Sequence, residues 1–100
     1  MVLLHLLSER DMYGYELTSA LAERSQGQFE IKDGTLYPVL YRLEKAHHVE
    51  PYWETQERGV PRKYYRVTDA GWQELNRLRQ EWHAFSTAVS HLIGIGVTHE

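Results

Sequence analysis

The chain has 100 residues, no cysteine, 42% hydrophobic and 25% charged side chains, and a formal net charge of −3. A length of that order encloses one hydrophobic core, so these residues leave no room for a second, catalytic domain. Lack of cysteine excludes a disulfide framework and thiolate metal sites, which fits a reducing compartment and makes the cytoplasm the expected location.

The opening apolar run, Met1 to Leu7, is broken by His5 and followed by Ser8-Glu9-Arg10-Asp11. It is too short for a secretory h-region or a membrane span, so no membrane partner is expected. Residues 1–31 carry two basic and five acidic side chains, residues 32–66 seven and five, and residues 67–100 two and four. The acidic total argues mildly against phosphate binding, but the basic side chains gather in the middle third.

In chain order, Val2, Leu3, Leu6 and Leu7 repeat at helical spacing and predict a short first helix. From Tyr13 to Arg24, Tyr13, Leu17, Ala20 and Leu21 line one face while Glu16, Ser19, Glu23 and Arg24 take the other, predicting a second helix that ends before Ser25-Gln26-Gly27. Asp33, or Thr35, is expected to cap a third helix with Pro38 near its beginning and Leu36, Leu40 and Leu43 as its buried stripe. After Ala46 the period becomes alternating: Val49, Pro51 and Trp53 share one parity, and Tyr65 and Val67 share that of a second strand. The stretch Thr55-Gln56-Glu57-Arg58-Gly59-Val60-Pro61 between them suits an extended hairpin loop, a wing. Thr68 caps a last helix running about 25 residues to Gly94, roughly 37 Å, longer than so small a core can cover.

The expected fold is therefore mainly α with a two-stranded antiparallel hairpin. Residues 1–67 would form a winged helix-turn-helix and 68–100 a long C-terminal dimerisation helix and tail.

Burying the leucine stripe of the third helix turns Thr35, Tyr37, Pro38, Tyr41, Arg42 and Lys45 toward its flanks or solvent. An aromatic and basic helix face of this kind fits a DNA major groove, where Arg bonds guanine edges and Thr or Tyr bonds phosphates or bases. The plainer reading is a surface helix with half-packed tyrosines and a paired arginine. The wing adds Arg58, Arg62, Lys63 and Arg66, cations that can lie along phosphates, diluted by Glu54 and Glu57. Alone, that stretch also reads as an ordinary solvated hairpin.

Four motifs in one order carry a more specific resemblance: Met12-Tyr13-Gly14-Tyr15-Glu16-Leu17, Gly34-Thr35-Leu36-Tyr37-Pro38, Arg42-Leu43-Glu44 and Arg62-Lys63-Tyr64-Tyr65-Arg66-Val67-Thr68. Together they resemble the PadR family of bacterial regulators, from about Leu3 to about Phe85. The resemblance implies a winged-helix repressor in which Thr35, Tyr37 and Pro38 open the recognition helix and Arg62 and Lys63 belong to the wing. It also implies a dimer formed through terminal helices, and the length matches the short branch with a single C-terminal helix.

Independently, Leu75, Leu78, Trp82, Phe85, Val89 and Leu92 recur in alternating steps of three and four, a seam of three heptads. A second copy of the chain is the simplest cover for it, and folding back onto the first helix is the alternative. Near a two-fold axis, two Trp82 rings with Phe85 beside them could leave a gap for a small planar aromatic effector; plain packing of the dimer core is the competing reading. The resemblance supports the effector site, since some short PadR-like regulators respond to flat hydrophobic compounds at their dimer interface.

His5, His47, His48, His83, His91 and His99 show no metal-binding spacing, so no metal or cofactor is expected, and His47-His48 is expected to end the third helix. No nucleophile elbow, phosphate-binding glycine loop or carboxylate pair is recognisable, so the chain is not expected to be an enzyme. The expected function is that of a DNA-binding transcriptional repressor, a homodimer on a roughly palindromic duplex operator, released by a small aromatic effector. The alternative is a winged-helix protein–protein interaction module without DNA binding.

Overall fold

The computed structural model describes residues 1–55 and 59–95. In chain order it contains α1 (Val2–Glu9), β1 (Met12–Tyr13), α2 (Gly14–Arg24), α3 (Asp33–Lys45), β2 (Val49–Glu54), β3 (Arg62–Val67) and α4 (Asp69–Ile93). The sheet is three-stranded and antiparallel in the order β1-β3-β2, correcting the expected two-stranded hairpin. The added strand is Met12 and Tyr13, paired with Tyr65 and Tyr64. Two residues hold no period of their own, and the sequence reads Tyr13 as the start of the next helix. Tyr13 is instead the residue before α2, where its N–H donates to the Glu16 carboxylate at 3.3 Å.

Both hairpin strands keep the expected parity: Val49 lies opposite Val67, Pro51 opposite Tyr65 and Trp53 opposite Lys63. Pro51 is tolerated because β2 is an edge strand. At its base this sheet face closes the core, with Val49 and Tyr65 buried, while Trp53 further out is exposed. The core joins Leu3, Leu4, Leu6 and Leu7 of α1 to Leu17 and Leu21 of α2, Leu36 and Leu40 of α3, and Leu75 of α4. Truncating such a buried leucine to alanine typically costs about 2–5 kcal/mol.

Helix ends are set by local chemistry. At the end of α3, His47 takes a left-handed conformation (φ 60°), and the N–H groups of His47 and His48 donate to the Glu44 and Leu43 carbonyls at 3.0 and 2.9 Å. That pair of bonds is a Schellman closure, usually built on glycine. At the start of α3 the expected side-chain cap is absent: Lys32 is the capping residue, Asp33 is the first helical residue, and no side chain bonds the exposed N–H groups. Asp33 still faces the positive end of the helix dipole. Thr68 does cap α4, its hydroxyl accepting from Gly71 N–H at 3.0 Å and donating to the His47 carbonyl at 2.5 Å. A Cβ on Gly71 would stand 2.0 Å from the His48 carbonyl oxygen, so only glycine lets the first turn of α4 lie against the α3–β2 turn. The helix then runs 25 residues to Gly94, which ends it at φ 76°.

Candidate nucleic-acid interface

Leu36 and Leu40 have no exposed surface, and that fixes the rotation of α3. Thr35, Tyr37, Pro38, Tyr41, Arg42 and Lys45 are all exposed as a result. Arg42 has no hydrogen-bond or ion-pair partner among the described residues, which leaves its guanidinium open to an external acceptor. Lys45 Nζ lies 5.7 Å from the centroid of the Tyr41 ring. Tyr37 reaches across to α2: a Cβ on Gly14 would sit 2.3 Å from the Tyr37 hydroxyl, so the absence of a side chain there gives this ring its place.

The wing comes alongside. A crevice of about 340 Å³ opens between α3, the entrance of α2 and the hairpin. Tyr13 and Gly14 line it from the entrance of α2, Tyr37 from α3, and Trp53, Pro61, Arg62 and Lys63 from the hairpin. The two candidate elements thus share one surface.

The wing cations are not equivalent. Arg62 is exposed; its Nη1 donates to the Tyr13 hydroxyl at 3.0 Å and its guanidinium lies 4.6 Å over the Tyr13 ring. Lys63 is half-buried and pairs with Glu44 of α3 at 3.6 Å, so part of its charge is spent within the chain. Arg66 pairs with Glu50 at 3.5 Å, further from the crevice. Arg58 lies outside the described residues. Sequence reasoning missed Tyr13, Gly14 and Trp53 as parts of this surface. The Tyr-Gly-Tyr triplet marked the place, but as the opening of a helix.

On the outer sheet face, Tyr52 donates to the Asp11 carboxylate at 2.6 Å. That bond, with smaller contributions from burial and the nearby negative charge, favours the neutral phenol and pushes the Tyr52 pKa up to about 12. Burial raises that of Tyr65.

The seam of α4 divides in two. Leu75 has no exposed surface and Leu78 packs against the same core, so the first heptad is covered by the chain itself, largely through α1. Leu75 is therefore not on a free face. Further along, Trp82, Phe85 and Leu92 are 56%, 62% and 84% exposed, with Val89 half-buried. Trp82 and Phe85 lie with ring centroids 6.2 Å apart at 37°. Among the described residues no group of three or more His, Asp or Glu side chains comes together that could hold a metal ion, and no helix is long and apolar enough to cross a membrane.

The sequence profile of the transcriptional regulator PadR-like family matches residues 3–77. An uncharacterised protein of Lysinibacillus sphaericus is 42% identical over 81 residues, covering 81% of this chain and 74% of its own length. Among solved structures, a PadR-like transcriptional regulator from Bacillus cereus superposes with a TM-score of 0.79 at 33% identity, over 91% of this chain and 86% of its own. PadR of Bacillus subtilis, solved in complex with operator DNA, superposes with a TM-score of 0.69 at 28% identity, over 77% of this chain and 44% of its own. The breadth of the profile match and the agreement of fold lead to one conclusion: the chain belongs to the PadR-like family of transcriptional regulators.

Proposed function

We propose that the chain is a DNA-binding repressor that acts in the cytoplasm as a two-fold homodimer on a roughly palindromic operator. The observation that carries this reading is the crevice where Tyr37 of α3 meets Arg62 and Lys63 of the wing; Arg42 of the same helix is exposed and has no partner among the described residues. Thr35, Tyr37, Pro38, Tyr41, Arg42 and Lys45 enter the major groove, with Arg42 bonding a base edge. Arg62 and, more weakly, Lys63 contact phosphates; Arg58 is assigned the same role from the sequence. The relative solved with operator DNA supports this reading.

Residues 1–67 serve as the DNA-binding unit and 68–100 as the dimerisation arm. The arm's exposed Trp82, Phe85 and Leu92, with Val89 between them, bury against a second copy. That brings the recognition helices about 34–36 Å apart, the spacing of successive major grooves. Trp82 and Phe85, adjacent on this stripe, take a small planar aromatic effector between the two copies.

The experiment is fluorescence anisotropy on random duplex DNA across a salt series, followed by selection of bound sequences from a random pool. A steep fall of affinity with salt and an enriched palindrome are expected. Salt-independent or absent binding would return the chain to a protein–protein interaction module.

A further inference from the structure

The strand register places three tyrosines in one row across the whole sheet, with Tyr52 opposite Tyr64 and Tyr64 opposite Tyr13, on the face away from the core. Their rings touch in sequence: Tyr52 and Tyr64 stack at 5.7 Å, and Tyr13 meets Tyr64 edge-on at 5.3 Å. One end of the row is tied by the Tyr52–Asp11 bond at 2.6 Å. The other end carries Arg62, whose guanidinium lies over the Tyr13 ring and bonds its hydroxyl.

Glu54 stands directly opposite Arg62 in the register, where an ion pair would be the ordinary outcome for two exposed side chains. No such pair forms among the described residues; the guanidinium turns to Tyr13 instead, at the edge of the crevice that Tyr37 also lines. The hydroxyl takes a single N–H, and a guanidinium has five, so the fork keeps donors for a phosphate. A long side chain held in place before binding loses less freedom when it binds.

We propose that Tyr13 is a positioning residue for DNA binding: it withdraws Arg62 from Glu54 and holds the guanidinium ready for a backbone phosphate beside α3. The inference rests on the DNA-binding reading above. It makes Tyr13 act through Arg62 and not through a DNA contact of its own.

The test is a double-mutant cycle on the full chain, measuring duplex affinity across a salt series together with thermal stability. Arg62→Ala lowers affinity and makes the salt slope shallower by about one unit for each phosphate bond removed. Tyr13→Leu lowers affinity roughly three- to tenfold when Arg62 is present and leaves it unchanged when Arg62 is alanine. Tyr13→Phe, which keeps the ring, restores most of the affinity, with about a twofold loss that also vanishes without Arg62. If Tyr13→Leu fails to fold, the cycle with Tyr13→Phe decides. Equal losses with and without Arg62, or no loss from either Tyr13 variant, overturn the inference while leaving the DNA-binding reading intact. If the unaltered protein binds no DNA, or Arg62→Ala changes nothing, the wing's part in that reading falls, and this inference with it.

Discussion

The α3–wing surface and the outer half of α4 both expose large side chains, but their chemistry differs. On α3 the exposed rings are Tyr37 and Tyr41, each with a polar tip, next to Arg42, which no described residue neutralises. On the outer half of α4 the exposed groups are Trp82, Phe85, Leu92 and Ile93. Of the charged residues before them, Arg77 bonds both Glu74 and Glu81 along the helix, and Arg79 bonds the His5 ring. A surface of the first kind suits a wet, charged ligand, while one of the second kind costs free energy until apolar matter covers it. What separates the two is that one sets a cation without a described partner among polar-tipped rings and the other exposes chiefly apolar groups.

The largest expected effect comes from removing the apolar side of this contrast. Cutting the chain after Leu78 keeps Leu75 and Leu78, the part of the seam that belongs to the core, and deletes the exposed remainder. Sedimentation should then show a monomer that retains its helical circular dichroism. Specific DNA affinity should fall by roughly 100-fold or more, since the second half-site no longer benefits from linkage. A truncated chain that still sediments as a dimer would place the interface elsewhere.

Next in size is Arg42→Ala, which removes from the polar side a cation that has no partner among the described residues. Removing its bond to a base edge costs about 1–3 kcal/mol of binding and relaxes sequence preference at one position per half-site, with thermal stability changed by less than about 0.5 kcal/mol. Measured affinities on single-substituted operators check both parts. A uniform loss on every sequence would make Arg42 a phosphate ligand instead.

A smaller effect is expected from Gly14→Ala. The added methyl group conflicts with the Tyr37 hydroxyl, the far end of a flexible side chain, so the ring moves while the backbone stays. DNA affinity should drop about three- to tenfold, consistent with one displaced polar group, and in a Tyr37→Phe background, where that group is already gone, Gly14→Ala should cost little more. Equal affinity for Gly14→Ala and the unaltered chain would show that Tyr37 does not need its place against α2.

Much of this contrast was legible in the sequence, for reasons that differ between elements. The stripe of Leu36, Leu40 and Leu43 sets which face of α3 is wet, because helical period and burial are directly linked. Thr68 and Gly94 bracket α4 because capping chemistry is local. The a/d pattern of α4 could not tell which partner covers each leucine, and α1, with four buried leucines packed closely in sequence, claims Leu75. Arg62 and Tyr13 are 49 residues apart, and they meet only because β1, itself without a period, pairs with β3. Sequence reasoning therefore located α3 and the β2–β3 hairpin but not the tyrosine row that joins the hairpin to the start of α2.

The smallest expected effect concerns that row. Because the Tyr52 pKa is raised to about 12, the Tyr52–Asp11 bond contributes to stability below the ordinary tyrosine value near 10 and is lost as pH rises through the folded value. Absorbance at about 295 nm, the phenolate band, should show a late-titrating tyrosine that disappears in Tyr52→Phe, whereas near neutral pH the two proteins should differ by no more than about 1 kcal/mol in stability. Unchanged titration in Tyr52→Phe would contradict the assignment.

The central claim, that α3 and the wing form one DNA-facing surface while the outer half of α4 serves another purpose, has a direct test in the three tryptophan indole N–H signals of the labelled protein. Trp53 lines the crevice, Trp72 lies in the first turn of α4, and Trp82 lies on the apolar stripe. Adding operator duplex to saturation should shift the Trp53 signal and leave those of Trp72 and Trp82 nearly in place. A saturated complex in which Trp53 stays fixed, or in which Trp82 moves and Trp53 does not, would contradict the account.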